Sequence, residues 1–222
     1  MPDAVIFDID GTLVDSVDLH ARAWQEAFAA FGHRFEFAAI RSQIGKGGDQ
    51  LLPVFLSPAE CREKGKTIEE YRGALFKRTY LPQVRAFPQV RALFERLRTD
   101  GIRPALASSA KGDELETYKR IAGIEGLVDA QTSSDDAEKS KPHPDIFEAA
   151  LARLDGVSPD RVLVVGDSPY DAEAAGKAGL RTLGLLCGGF PPAALREAGC
   201  IRLYRDPADL LANYAGSPLA AG

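Results

Sequence analysis

Six short, largely apolar runs constrain this chain most, several of them stopping at polar side chains. AVIF runs into Asp8 and Asp10, RPALA into Ser108 and Ser109, and RVLVVG into Asp167; LVDAQTSS, TLGLL and IRLYR are further runs of the same kind. Strands apolar along their whole length must be covered on both faces. Between the later runs lie VRALFERLRTDG, GDELETYKRIAG, PHPDIFEAALARLDG, AEAAGKAG, PPAALREAG and PADLLANY, whose apolar residues recur at helical spacing. Strands alternating with such helices predict an α/β fold, a doubly wound parallel sheet with helices on both faces.

One segment breaks the alternation. From residue 15 to 84 no strand pattern is found. VDLHARAWQEAFAAFG places Val17, Ala21, Trp24, Phe28 and Phe31 on one helical face and stops at Gly32. EFAAIRSQI, DQLLPVFL and PAECREKGKTIEEYRGALFKRTY also read as helices, the last broken near Gly65, with IGKGGD as a loop. The expected organisation is an α/β core from residues 1–14 and 85–222 with an all-helical insertion over 15–84. The tail AGSPLAAG is expected to fray.

Composition narrows the function classes. A formal net charge of −5 disfavours nucleic acid and anionic lipid as partners. Apolar runs such as VLVV fall far short of the ~20 residues needed to cross a bilayer. The N-terminus lacks a basic stretch before a long apolar one, so no signal peptide is expected. Cys61, Cys187 and Cys200 are odd in number and widely spaced, which suits free thiols in a cytoplasmic protein better than a disulfide framework or a zinc site.

In open α/β sheets, ligands bind outside the carboxyl ends of the strands. There this sequence puts Asp8 and Asp10, Ser108 and Ser109, a loop carrying Lys139 and Lys141, and Asp167 with Asp171 four residues on. Taken singly, each has a plainer explanation: an acidic pair caps a turn, two serines cap a helix, KSKP is a solvated loop, and GDSPYD is a turn with an N-cap. Their joint occurrence at four successive strand ends argues for one site. Two carboxylates about 4 Å apart repel by about 4 kcal/mol at an effective dielectric of 20, and Asp167 adds to that. Hard oxygen donors in such a cluster suit Mg²⁺ together with a phosphorylated ligand. An aspartate can itself be the nucleophile, as in aspartyl-phosphate formation.

Asp8-Ile9-Asp10-Gly11-Thr12, the strand ending at Ser108, Lys141-Pro142, and Gly166-Asp167-Ser168-Pro169-Tyr170-Asp171 together resemble the four motifs of the haloacid dehalogenase superfamily. The helical insertion is similar to that family's C1 cap, and the likeness extends to phosphoglycolate phosphatases and β-phosphoglucomutase-like phosphatases. The resemblance implies Asp8 as nucleophile and Asp10 as general acid, then base. It implies Mg²⁺ held by Asp8, the Asp10 backbone carbonyl, Asp167 and, through water, Asp171. Ser108 and Lys141 would hold phosphoryl oxygens, with Gly11 and Thr12 shaping the first loop. Ser109, His20 and Lys46 are expected within reach of substrate, a small phosphorylated metabolite, on a monomer or weak dimer.

Within the superfamily, a carboxylate at Asp10 argues against C–halogen or C–P cleavage, which need no such acid. The closer rival is a sugar-phosphate mutase similar to β-phosphoglucomutase, whose cap helix resembles DSVDLHARAW. His20 is also read as a packed or hinge histidine, and the fourth motif has the phosphatase form. A receiver domain would be near half this length and lack the insertion. A binding protein descended from such enzymes should have lost Asp8, Asp10, Lys141 or Asp167, and all four are here. His33 and His143 receive no role, and Trp24 is assigned to the core.

Overall fold

The computed structural model describes residues 1–220. The chain opens with strand β1 (Ala4–Phe7) and, after a tight turn, the two-residue strand β2 (Val14–Asp15). Helices α1 (Val17–Ala30), α2 (Phe37–Arg41), α3 (Gly48–Phe55) and α4 (Pro58–Leu75) follow. A π-helical turn (Phe76–Tyr80) then leads to strand β3 (Arg85–Ala86). Strand and helix alternate from there: α5 (Val90–Thr99), β4 (Arg103–Ala107), α6 (Gly112–Ala122), β5 (Ala130–Thr132), α7 (Asp145–Ala152), β6 (Val162–Gly166), α8 (Pro169–Lys177), β7 (Arg181–Leu185), α9 (Pro192–Glu197), β8 (Cys200–Tyr204) and α10 (Pro207–Ala212).

Six strands form one parallel sheet in the order β5-β4-β1-β6-β7-β8. The side-chain period of two explains why the strands are apolar throughout. Val5 and Phe7 pack with Leu106, Leu163 and Val165 under α5, α6 and α10. Ala4 and Ile6 face the other way, with Ala105, Val162 and Val164, under α7 and α8. Because β1 lies between β4 and β6, the chain leaves it toward one edge and later returns on the other side. The crevice at that reversal opens at the carboxyl end of β1.

The helical segment has its own core. Val17, Ala21, Trp24, Ala27 and Phe28 of α1 pack against Ile40, Leu51, Leu52 and Ile68. Fully burying each large side chain contributes roughly 1.5–3 kcal/mol. Three expectations need correction here. The short ladder of β2 and β3 pairs Val14 with Ala86 and Asp15 with Arg85, so the segment's two ends are joined by strands that the pattern did not reveal. Helix α4 runs through Gly65 without a break, because Gly65 is buried with Leu52 about where a Cβ would touch it. The tail does not fray: Ser217 and Leu219 are buried, and Leu219 joins the core beneath the sheet; the last two residues of AGSPLAAG lie outside the described residues.

Candidate active site

The ladder carries each functional residue to the same rim. The Asp8 N–H donates to the Val165 carbonyl at 2.9 Å, and the Ser108 N–H to that of Thr132 at 3.2 Å, so both residues stand one step past the end of their strands. Gly11 then turns the chain at φ +84°, a conformation that favours glycine, and its N–H donates to the Val14 carbonyl. A side chain there would also collide with the Asp167 carboxylate.

Asp8, Asp167 and Asp171 are all buried, and one oxygen from each lies within 4.8 Å of the others. The Lys141 ammonium sits among them, 2.5 Å from Asp8 Oδ1 and 2.7 Å from Asp171 Oδ1. Thr12 donates to Asp167 Oδ1 at 2.9 Å. Asp171 serves two purposes: Oδ1 meets Lys141, while Oδ2 accepts from the Ser168 N–H and hydroxyl and completes the capping box of α8. Three carboxylates against one ammonium leave excess negative charge away from water. Burial, opposed by Lys141 and reinforced by Asp171 and Asp10, pushes Asp8 up to about 7. Burial, reinforced by the Asp171 and Asp8 carboxylates, pushes Asp167 well above the ordinary range. Lys141 is itself held firmly charged: burial disfavours its ammonium, but Asp171 and Asp8 outweigh that. The donors are hard oxygens, and Gly11 and Gly188 bring backbone so close to Asp167 that no Cβ would fit. Such a set fits Mg²⁺, which binds through a few carboxylates, waters and phosphate.

Asp10 has the opposite surroundings. Its Oδ1 accepts from the Ser16 hydroxyl at 2.5 Å and lies 2.9 Å from His20 Nε2. Burial alone would raise its pKa, but His20 and the hydrogen bond from Ser16 hold it below the usual carboxylate value. The His20 ring stacks on Phe76 at 3.9 Å and lies 3.1 Å from the Tyr118 hydroxyl.

Above these groups is a cavity of about 660 Å³ between the sheet rim and the helical segment. Asp8, Asp10, Ser109 and Lys141 line it from the sheet rim, and His20, Lys46, Arg72 and Lys77 from the helical side. Gly11, Thr12, Ser108, Asp167 and Asp171 lie behind that wall; Ser108 Oγ accepts from the Ala110 N–H. Lys46 stands 4.6 Å over the Tyr170 ring and donates to Gln43, and burial lowers its pKa. Trp24 is buried as expected of a core residue, yet it also reaches the cavity wall, where Arg72 stacks over its ring at 4.8 Å. The helical segment touches the rim directly. The Gly47 N–H donates to Ser140 Oγ at 2.9 Å, the Ser140 N–H and hydroxyl donate to Asp49, and Arg41 donates to the Gly188 carbonyl at 3.0 Å.

Sequence reasoning missed Arg72, Tyr118, Glu114, Ser140 and Gly188. The i, i+4 spacing of Glu114 and Tyr118 was visible, but nothing local marks either as a neighbour of Asp10. A glycine beside Gly189 reads as an ordinary loop.

Comparison with known proteins bears on this geometry. Residues 2–179 match the family model described as haloacid dehalogenase-like hydrolase. The chain is 30% identical over 211 residues to the phosphorylated carbohydrates phosphatase of Thermotoga maritima, covering 94% of this chain and 96% of that one. It is 33% identical over 189 residues to the phosphoglycolate phosphatase of Yersinia pestis, covering 83% and 81%. The crystal structure of a hydrolase from Pseudomonas syringae superposes with a TM-score of 0.89 at 30% identity, covering 96% of this chain and 98% of that chain. By the match over residues 2–179 and by these relatives, this chain is a member of the haloacid dehalogenase-like hydrolase family.

Proposed function

We propose that the protein is a Mg²⁺-dependent phosphatase of small phosphate monoesters that acts through an aspartyl-phosphate on Asp8. One observation carries the reading. Two aspartates two residues apart are held in opposite environments, Asp8 beside Lys141 among the cation-binding carboxylates and Asp10 turned away to Ser16 and His20. Paired carboxyl groups driven apart in this way take separate roles as nucleophile and acid–base.

Asp8, Asp167 and, through water, Asp171 would hold Mg²⁺ together with the Asp10 backbone carbonyl. When bound there, the ion would neutralise charge on the phosphoryl oxygens and keep the carboxylates ionised. An Asp8 oxygen attacks phosphorus as the bond to the leaving oxygen breaks, and Asp10 gives that oxygen a proton. Water then attacks phosphorus, Asp10 takes its proton, and the Asp8–phosphorus link opens to release inorganic phosphate. Asp10 is an anion in the free protein, so it is ready as base and takes up a proton before acting as acid. Lys141 and Ser108 steady the phosphoryl oxygens, and most of the rate gain comes from such prearranged charge.

The helical segment acts as a cap that shields this chemistry from bulk water. Lys46 and Arg72 on the cavity wall favour an anionic metabolite, and the curated relatives act on phosphorylated carbohydrates and phosphoglycolate by name. No helix among the described residues is long and apolar enough to cross a membrane, and three free cysteines suit a cytoplasmic setting.

The test is phosphate release from phosphoglycolate, hexose and pentose phosphates and nucleotides, with and without Mg²⁺, beside Asp8→Asn. Mg²⁺-dependent release that disappears in the variant is expected. Conversion of β-glucose 1-phosphate to glucose 6-phosphate without phosphate release would overturn the reading in favour of a mutase.

A further inference from the structure

A chain of largely buried side chains continues past His20 to Tyr118 and then to Glu114, which borders the cavity again. Tyr118, on α6, is 1% exposed, and its hydroxyl donates to Glu114 Oε1 at 2.9 Å while lying 3.1 Å from His20 Nε2. Glu114 is 7% exposed at the cavity wall, and its hydrogen-bond partner is the neutral Tyr118 hydroxyl. A buried carboxylate whose partner is a neutral hydroxyl is a costly arrangement. It stands here next to the acid–base residue of the reaction.

Counting protons gives it a purpose. Tyr118 has one O–H, and the Asp10 and Glu114 carboxylates both lie within its electrostatic reach. His20 Nε2 carries at most one proton toward Asp10 and the Tyr118 oxygen. A Tyr118 proton turned toward Nε2 would demand the tautomer without an Nε2–H, and one turned toward Asp10 would compete with that N–H for the carboxylate. With Glu114 accepting that proton, the Tyr118 oxygen presents only lone pairs to Nε2, so the single Nε2–H is held between Asp10 Oδ1 and the Tyr118 oxygen and the ring is fixed in the tautomer that donates to Asp10. Ser16 donates to the same oxygen, which leaves Oδ2 for the leaving group and the attacking water.

We propose that Tyr118, oriented by Glu114, is a positioning residue for Asp10 that acts through His20. The inference rests on the phosphatase reading, since it deepens the role of Asp10. Four elements meet at this point: α1 supplies His20, the π-helical turn supplies Phe76 against its ring, α6 supplies Tyr118, and the first loop supplies Asp10. The orientation of the acid thereby depends on core and cap together.

The test separates proton delivery from general damage. An alkyl phosphate needs a proton on its leaving oxygen, whereas 4-nitrophenyl phosphate expels a phenolate that does not. In the full-length protein with Mg²⁺, Tyr118→Phe should lower the phosphorylation rate with an alkyl ester by about tenfold, a fraction of what a general acid supplies. KM and the nitrophenolate burst should stay within about twofold of the parent. Glu114→Leu should behave like Tyr118→Phe, and Glu114→Gln, which still accepts the hydroxyl proton, should restore most of the rate. Equal losses on both esters, or none on either, would overturn the proposal. The ¹⁵N spectrum of the His20 ring provides a readout free of turnover. An Nε2–H tautomer that Glu114→Leu disturbs and Glu114→Gln keeps is expected, and a spectrum indifferent to both would overturn it. A parent protein that cleaves no ester would defeat the phosphatase reading, while the spectrum would still decide the positioning contact.

Discussion

Asp167→Asn should stabilise the metal-free protein while removing most of what Mg²⁺ adds. Oxygens of Asp8, Asp167 and Asp171 lie within 4.8 Å of one another. At that separation and an effective dielectric of 20, each pair repels by about 3 kcal/mol. Lys141 offsets roughly one such term, which leaves about 3 kcal/mol of repulsion that an amide at 167 would relieve. The Thr12 hydroxyl can still donate to an amide oxygen, so the local packing survives. In a chain of this size roughly 2–4 °C accompanies each kcal/mol, giving a rise of about 6–12 °C in Tm in EDTA at pH 7. The gain should depend on pH with a definite sign. Asp8 is pushed up to about 7 and Asp167 is raised well above its ordinary value of 3.8, so between those limits the folded protein binds more protons than the unfolded chain. The contribution of these two groups to the parent's stability is therefore fully present below about pH 4 and is lost as pH rises toward 7 and beyond, and the gap between variant and parent opens as it is lost. Mg²⁺ at about a hundred times its Kd should return about 2.7 kcal/mol to the parent and much less to the variant. Thermal melts at pH 4 and 7, in EDTA and in Mg²⁺, decide the matter. A variant that melts below the parent in EDTA at pH 7, or an equal Mg²⁺ increment in both proteins, would refute the reasoning.

Lys141→Met leaves Asp8 and Asp171 buried without their cation, and urea unfolding in EDTA should show a loss of about 3–5 kcal/mol along with loss of phosphate release. Gly188→Ala would drive a methyl group into the Asp167 carboxylate, so isothermal titration should show weakened Mg²⁺ binding while the far-ultraviolet circular dichroism is retained. Arg72 has a buried Nε without a hydrogen-bond partner, and its stack on Trp24 holds the guanidinium at the cavity wall. Arg72→Ala should raise KM about tenfold or more for an ester with a second anionic group and leave 4-nitrophenyl phosphate nearly unchanged, because a charged hydrogen bond contributes about 1.5–3 kcal/mol.

The sheet and the rim of polar side chains at its carboxyl edge were legible for one reason. Parallel strands announce themselves as apolar runs, and whatever follows each run is placed at the carboxyl edge. Asp8, Ser108, Lys141 and Asp167 therefore converge although 159 positions separate the first from the last. Residues that matter through packing gave no such signal. Tyr118 meets His20 across 98 positions, and its side chain looks like one more apolar residue on the buried face of α6. Gly65 reads as a helix breaker because propensity describes isolated helices, whereas close packing on Leu52 decides here. The tail, rich in small residues, gave no hint that Leu219 fills a place under the sheet. Strands of two residues such as β2 and β3 lie below the length at which alternation can be read at all.

That small ladder has a consequence for how the fold varies. Val14 and Ala86 face each other across it, so the helical excursion leaves and re-enters the core at neighbouring points. For a flexible loop, doubling the length between fixed ends costs only about 0.6 kcal/mol in closure entropy. Lengthening or shortening the excursion therefore makes a modest demand on the sheet, provided Phe76 and Tyr80 remain to cover the core beside it. Lineages can remodel the roof over the carboxylates while the floor stays as it is, and new substrates become reachable by changes that never touch the chemistry.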